Sequence, residues 1–399
     1  MCLITNLSFQ NLCLKLSSAV CHGAKLALKH RPPIALSSNM MQTRGLAADS
    51  EDVVLSQDVG DKGILILNRP KALNAVNLPM VQKCHETLLK WEKEKSLVIC
   101  KGAGDKAFCA GGDVKTITTS RSDEYGKRLF RIEYMMNCII ATYTIPYIAL
   151  IDGITMGGGI GLSVHGHYRV ATEKTLCAMP ETAIGLFPDV GGSYFLSRLK
   201  GYVGIYLALT GFRLKGADNL FVGFATHYCP SSDIPKLEKE LLSCKNPKEV
   251  LERFKRCPEG AKYTLEPYLN KIDNIFSAPT VEEIYERLEK DSSDWAKGTL
   301  LTLKKFCPLS LKITLKQLQL GSQLSIQECL QMEYRLACRS CDGYNFTEGV
   351  RALLVDKDQN PKWIPPTVEE VTQQMVDDFF APLEPQEELK PRGGPKCSL

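Results

Sequence analysis

The chain has 399 residues, 44% of them hydrophobic and 24% charged, an ordinary globular mixture long enough for two or three packed units. Its formal charge of +4 is uneven, because residues 1–48 hold Lys15, Lys25, Lys29, Arg31 and Arg44 and no acid; the near-neutral remainder has no global field to gather nucleic acid. No apolar run approaches the roughly 18 to 20 residues that cross a bilayer, since even Ile139 to Ile154 is broken by Thr142, Thr144, Pro146 and Asp152.

The acid-free stretch 1–48 ends in Met40-Met41-Gln42-Thr43-Arg44-Gly45-Leu46-Ala47-Ala48 and is expected to be a mitochondrial transit peptide, which places the protein in the matrix. A secretory signal would need a clean apolar centre, and Asn6, Gln10 and Asn11 interrupt it. At the other end, Cys397-Ser398-Leu399 lacks the basic middle residue of a peroxisomal address.

Beyond the leader, Gly63 to Leu67, Leu97 to Cys100 and Tyr147 to Ile151 are short, apolar, branched runs bounded by turn residues, and read as strands. Between them, Pro79 to Lys93 (with Val81, Leu88 and Leu89) and Asp123 to Thr142 carry helical spacing. Residues 49–276 are therefore expected to be an α/β core. From Ser277 the pattern changes to four amphipathic helices, Thr280 to Lys290, Trp295 to Phe306, Leu309 to Leu320 and Ile326 to Cys338, which define a helical region over 277–381. The Pro-, Glu-, Lys- and Gly-rich stretch 382–399 has no periodicity and reads as a disordered tail. No internal repeat is visible.

The sixteen cysteines have no regular spacing and lie mostly in apolar segments, so they read as reduced, buried thiols; Cys338 and Cys341 lack partners at zinc spacing. No His-Glu-x-x-His and no Gly-x-Ser-x-Gly elbow is present, so neither a metal site nor a serine triad is expected, and His165 and His167 read as structural.

Two glycine clusters follow strands: Ala107-Phe108-Cys109-Ala110-Gly111-Gly112-Asp113 and Asp152-Gly153-Ile154-Thr155-Met156-Gly157-Gly158-Gly159-Ile160-Gly161. Glycine lets a backbone approach a ligand, and the free N–H groups where the second cluster opens a helix would favour a developing negative charge. Neither cluster fits a P-loop or a dinucleotide fingerprint. The next motif, Met179 to Gly192, sets Glu181 and Asp189 in an apolar loop constrained by Gly and Pro. Burial there would raise a carboxyl's pKa and suit it to proton transfer, while the ionised form could attack a carbonyl. Asp189 has a structural alternative as the N-cap of a helix beginning near Gly192.

Together these motifs, with Asn68-Arg69-Pro70 and Ala72-Leu73-Asn74-Ala75, resemble the crotonase (enoyl-CoA hydratase/isomerase) superfamily over roughly Val53 to Lys290. The resemblance implies a spiral of ββα units followed by the helical C-terminal region, and an acyl-CoA carbonyl bound by the backbone amides of Gly112 and Gly158. One hydratase glutamate would fall where this chain has Gly161, which disfavours simple hydration. Phe346-Thr347-Glu348-Gly349-Val350-Arg351-Ala352, Asp356-Lys357-Asp358 and Pro361-Lys362-Trp363 extend the likeness to about residue 375 and to a thioester-hydrolysing branch of the family. That branch implies hydrolysis of a short branched 3-hydroxyacyl-CoA in valine breakdown. Glu133, Gly158, Glu181 and Asp189 would line the substrate site, with Glu181 as nucleophile or general base and no dissociable cofactor. The expected partner is a small acyl-CoA, and assembly into a homo-oligomer is compatible with the family. The competing readings are an isomerase that uses Glu181 alone, a hydrolase of a different hydroxyacyl-CoA, and a catalytically silent CoA-binding protein.

Overall fold

The computed structural model describes residues 52–393 apart from 121, 122, 257 and 259. The expected transit peptide, 1–48, and the final residues 394–399 lie outside the described residues. Six strands form one sheet in the order β1 (Val54–Val59), β2 (Lys62–Leu67), β3 (Leu97–Gly102), β5 (Tyr147–Ile151), β7 (Tyr168–Ala171), β10 (His227–Tyr228). A smaller sheet is made of β4 (Ala107–Cys109), β6 (Ile154–Met156), β8 (Leu176–Ala178) and β9 (Leu214–Lys215). Successive passes of the chain put one strand in each sheet, β3 then β4, β5 then β6, β7 then β8, which is the expected α/β spiral of ββα units. Outside the β1–β2 hairpin and the closing β8–β9 pair, neighbouring strands run parallel.

Helix α1 (Leu78–Glu94) starts where Asn77 accepts from the Met80 N–H and Pro79 fills the first turn. It buries Met80, Val81, Cys84, Leu88 and Trp91 at three- and four-residue spacing; Leu89, counted with the apolar face in the sequence, is 38% exposed. The short α2 (Val114–Thr119) precedes α3 (Asp123–Ala141), which packs against α1 and carries Glu133. Then come α4 (Gly158–Gly161), α5 (Gly192–Phe195), α6 (Val203–Thr210), α7 (Asp218–Val222), α8 (Ile234–Ser243), α9 (Pro247–Phe254) and α10 (Leu269–Phe276).

The four amphipathic patterns become α11 (Val281–Lys290), α12 (Asp294–Leu303), α13 (Pro308–Gly321) and α14 (Ile326–Asp342). Thr280 and Ser293 cap α11 and α12, and Ser325 with Glu328 forms a capping box at α14. Helices α15 (Tyr344–Val350) and α16 (Gln373–Phe380) follow. Among the described residues no boundary separates this region from the α/β core: residues 52–393 form one compact unit.

The expected disordered tail is corrected as far as Gly393. Leu389 is fully buried, and Arg131 on α3 donates to the carbonyls of Glu387 and Glu388. Arg335 pairs with Glu388 at 2.8 Å, and Arg392 pairs with Glu92 at 2.6 Å while donating to Thr142 Oγ1. The segment is a strap laid along α3, ordered by contacts with distant residues and therefore without local periodicity.

Candidate active site

The small sheet is what gathers the site. Its strands β4, β6 and β8 are parallel neighbours, with Ala107, Ile154 and Leu176 in register, and neighbouring strands in a sheet lie about 4.8 Å apart. Gly112, Gly158 and Glu181 each follow the C-terminal end of one of these strands by two or three residues, so the three are delivered side by side.

The Gly112 amide is aimed by the loop opposite. Val76 bridges Gly112 in parallel fashion, donating to Gly111 O at 2.8 Å and accepting from Asp113 N at 2.7 Å. Alternation along extended backbone then turns the N–H of Gly112 to the other side. Asn74 holds this loop: fully buried in left-handed backbone (φ 57°), it donates to the carbonyls of Ala103 and Ala107 and accepts from Arg69 N. The Asn68 to Ala75 motif is thus a brace for the Gly112 loop. Gly158 opens α4, where the first-turn amides have no intrahelical acceptor. Among the described residues neither the Gly112 nor the Gly158 N–H donates to an internal acceptor.

The glycine triplet is dictated by contact. A Cβ on Gly157 would stand 2.5 Å from Glu181 Oε1, and one on Gly158 would stand 2.6 Å from Glu133 Oε1 and 3.5 Å from Gly112 N. A Cβ on Gly159 would meet Cys109 O at 2.2 Å. Both amides, Glu133 and Glu181 therefore share one small volume, and side chains at 157 or 158 would fill it.

Glu133, Glu181 and Asp189 are 2%, 5% and 4% exposed. Burial, reinforced by the nearby Asp189 charge, pushes both glutamates well above the usual carboxylate range. Asp189 rises to about 7, mainly by burial, with the Tyr134 hydroxyl donating at 2.8 Å in the opposite sense. Glu133 Oε1 and Glu181 Oε2 are buried without a protein partner among the described residues. Glu181 begins a short 3-10 turn, Glu181–Ile184. Asp189 is not a helix cap, for α5 has Gly191 at its N-cap position and the Asp189 carboxylate turns to Tyr134.

His165 is buried, donates from Nε2 to Val190 O at 2.7 Å and falls to about 4 through burial, so it is a neutral brace. His167 accepts from Tyr147 N. The eleven cysteines among the described residues are free thiols, Cys338 and Cys341 included. No cluster of His, Cys, Asp and Glu suited to a metal occurs among the described residues. Arg69 bridges Ala75 O and Asp113, whereas Lys71 and Lys106 line a cleft of about 300 Å³ beside Asn74 and Ala107.

Tyr134, Gln317 and Glu333 have no local sequence signal tying them to the site. Gln317 Nε2 donates to Pro188 O at 2.6 Å, and Glu333 accepts from the N–H groups of Gly191 and Ser193. Glu333 could have been flagged by pattern, since it lies among Ile326, Cys329, Leu330, Leu336 and Ala337 on the buried face of α14.

The model of the enoyl-CoA hydratase/isomerase family matches residues 62–380. A mitochondrial 3-hydroxyisobutyryl-CoA hydrolase of Xenopus tropicalis is 50% identical over 360 residues, covering 87% of this chain and 93% of its own. Its Homo sapiens counterpart is 50% identical over 347 residues, covering 84% and 90%. Among solved structures, a carnitinyl-CoA dehydratase from Mycobacterium thermoresistibile superposes with a TM-score of 0.80 at 37% identity, covering 85% of this chain and 98% of its own. An enoyl-CoA hydratase from Rhodobacter sphaeroides 2.4.1 gives 0.77 at 36%, covering 85% and 99%.

Proposed function

The chain belongs to the enoyl-CoA hydratase/isomerase family, and from that premise we propose that it hydrolyses 3-hydroxyisobutyryl-CoA to 3-hydroxyisobutyrate and free CoA, as a step of valine breakdown in the mitochondrial matrix. The observation that carries this reading is Glu181 set against two unengaged backbone amides while position 161 is glycine. The relatives named as hydrolases are about half identical to this chain, against 36–37% for the solved dehydratase and hydratase.

In this reading the thioester oxygen sits between the Gly112 and Gly158 N–H groups. Each donor contributes about 3 to 4 kcal/mol once the carbonyl oxygen becomes an oxyanion. Glu181 carries the attack in its ionised form, a state its burial disfavours, either through its own oxygen, giving a mixed anhydride that water then opens, or by taking a proton from one water that adds to the carbonyl. The tetrahedral intermediate collapses with cleavage of the C–S bond. Asp189, raised to about 7, holds a proton near neutral pH that the departing thiolate can take. Glu133 accepts a hydrogen bond from the substrate hydroxyl. Lys71 and Lys106 meet the CoA phosphates, and no dissociable cofactor enters the scheme.

The test is free-thiol release from 3-hydroxyisobutyryl-CoA beside crotonyl-CoA. The expected result is rapid release from the first, no hydration of the second, and a loss on the order of 10² to 10⁴-fold in Glu181→Gln. Hydration or double-bond movement without thiol release would overturn the hydrolase reading. Single turnover in ¹⁸O-water reports on the route, since label in Glu181 with an unlabelled product arises only from an anhydride opened at the Glu181 carbonyl.

A further inference from the structure

The turn Pro188-Asp189-Val190-Gly191 is held in an unfavourable shape. Val190 is β-branched, yet has φ 54°, a left-handed conformation that survives only where its surroundings over-determine it. Four side chains do so. Gln317 takes the Pro188 carbonyl, Tyr134 the Asp189 carboxylate, and His165 the Val190 carbonyl. The fourth, Glu333, is fully buried and makes three contacts: from Gly191 N at 2.7 Å, from Ser193 N at 2.9 Å, and from the Ser193 hydroxyl.

Helix α5 begins directly after this turn with Gly191 at its N-cap, a residue with no side chain to satisfy the first amides. Glu333 supplies that missing acceptor from α14, at a sequence separation of 142. We propose that Glu333 is a positioning residue for the reaction, an N-cap delivered from the helical C-terminal region that locks the Asp189 turn and so fixes where the Asp189 carboxyl meets the substrate. It touches neither substrate nor reacting atoms and acts through Gly191 and Ser193. The helical region, on this view, is part of the catalytic apparatus of the α/β core. Three bonds to one carboxylate also explain why a group so costly to bury is retained on an otherwise apolar helix face.

Glu333→Gln is the informative substitution. Glutamine keeps the length but presents N–H where the Gly191 or Ser193 N–H already points, so one donor loses its acceptor. A carboxyl displaced by a fraction of an ångström predicts a kcat lowered about 10- to 100-fold with KM within about threefold. Ser193→Ala, which leaves both backbone donors in place, loses less. Leu251→Ala, in the separate core cluster with Leu97, Ile99 and Leu237, serves as the stability-matched control and keeps wild-type kcat wherever it is folded. Independently of turnover, amide hydrogen exchange over 188–194 accelerates in Glu333→Gln and not in the control. Wild-type kcat in Glu333→Gln, an equal kcat loss in Leu251→Ala at equal stability, or unchanged exchange overturns the proposal. The kinetic arm rests on the hydrolase reading and the exchange arm does not, so an inactive wild-type protein with accelerated exchange in the variant would sink only that reading.

Discussion

Asp189 is held against its own preference to ionise. In an unfolded chain an aspartate titrates near 3.9, whereas burial lifts Asp189 to about 7. Between these values the folded protein holds a proton that the unfolded chain has lost. The contribution to stability is therefore complete below about pH 4, shrinks as pH rises, and is gone above about 7, where a buried charge must be carried. Asp189→Asn keeps an acceptor for the Tyr134 hydroxyl and removes that charge. It should be more stable than wild type by about 1 to 3 kcal/mol at pH 8, with the gap closing by pH 4, while losing activity. Urea unfolding at the two pH values measures this, and a variant less stable than wild type at pH 8 would contradict the assignment. In the proposed scheme Asp189 gives its proton to the thiolate, so kcat in the wild type should fall as pH rises past about 7.

The strap over α3 makes a comparable case for a whole element. Arg131 ties it to the helix one turn before Tyr134 and two residues before Glu133, and Arg392 anchors its far end on Glu92, Ile139 and Thr142. Leu389 lies between these anchors, fully buried. Leu389→Ala should cost about 2 to 5 kcal/mol, read as a lower urea midpoint at unchanged slope; an unaltered midpoint would mean that the strap contributes nothing. The strap escaped the sequence reading because it owes its order to arginines and a core that are far away in the chain, and a segment without periodicity resembles a disordered one. Long helices such as α1 and α14 were legible because an apolar stripe at 3.6-residue spacing is a local property. Strands β4, β6 and β8 are three residues each, too short for any period to register, yet the glycine motifs that follow them marked the loops that matter. Among the candidate site residues, the two glycine clusters, Glu181 and Asp189 stood out through motif, while the choice of the Gly112 and Gly158 amides and of Glu133 came only through family resemblance. Tyr134 and Gln317 depend on contacts across 55 and 129 positions, which no local pattern encodes; for Glu333 the pattern marks a buried acid but not its partner 142 positions away.

Across the whole molecule, the parallel strands β4, β6 and β8 bring together two unengaged amides, and the oxyanion site proposed there would serve any chemistry passing through a thioester enolate or tetrahedral intermediate; packing around position 161 narrows the choice. A Cβ there would stand 2.6 Å from the Val190 Cβ and 2.9 Å from Asn137 Nδ2, so the place a second carboxylate would need is occupied from both sides. Val190 fills it from the turn that carries Asp189, which is clamped from α3, α13 and α14. On the proposed scheme, Gln317 and Glu333 from the helical C-terminal region would thus disfavour hydration and position Asp189 through the same contacts. Installing the missing glutamate should consequently fail. Gly161→Ala alone should cost about 1 to 3 kcal/mol through overpacking, and should lower thiol release because Val190 must move and Asp189 moves with it. Gly161→Glu should be less stable still and should not hydrate crotonyl-CoA, whose loss of absorbance near the thioester-conjugated double bond is the direct assay. Measurable hydration by a folded Gly161→Glu protein would show that residue identity at 161, and not the packing imposed by the surrounding helices, decides between the two reactions.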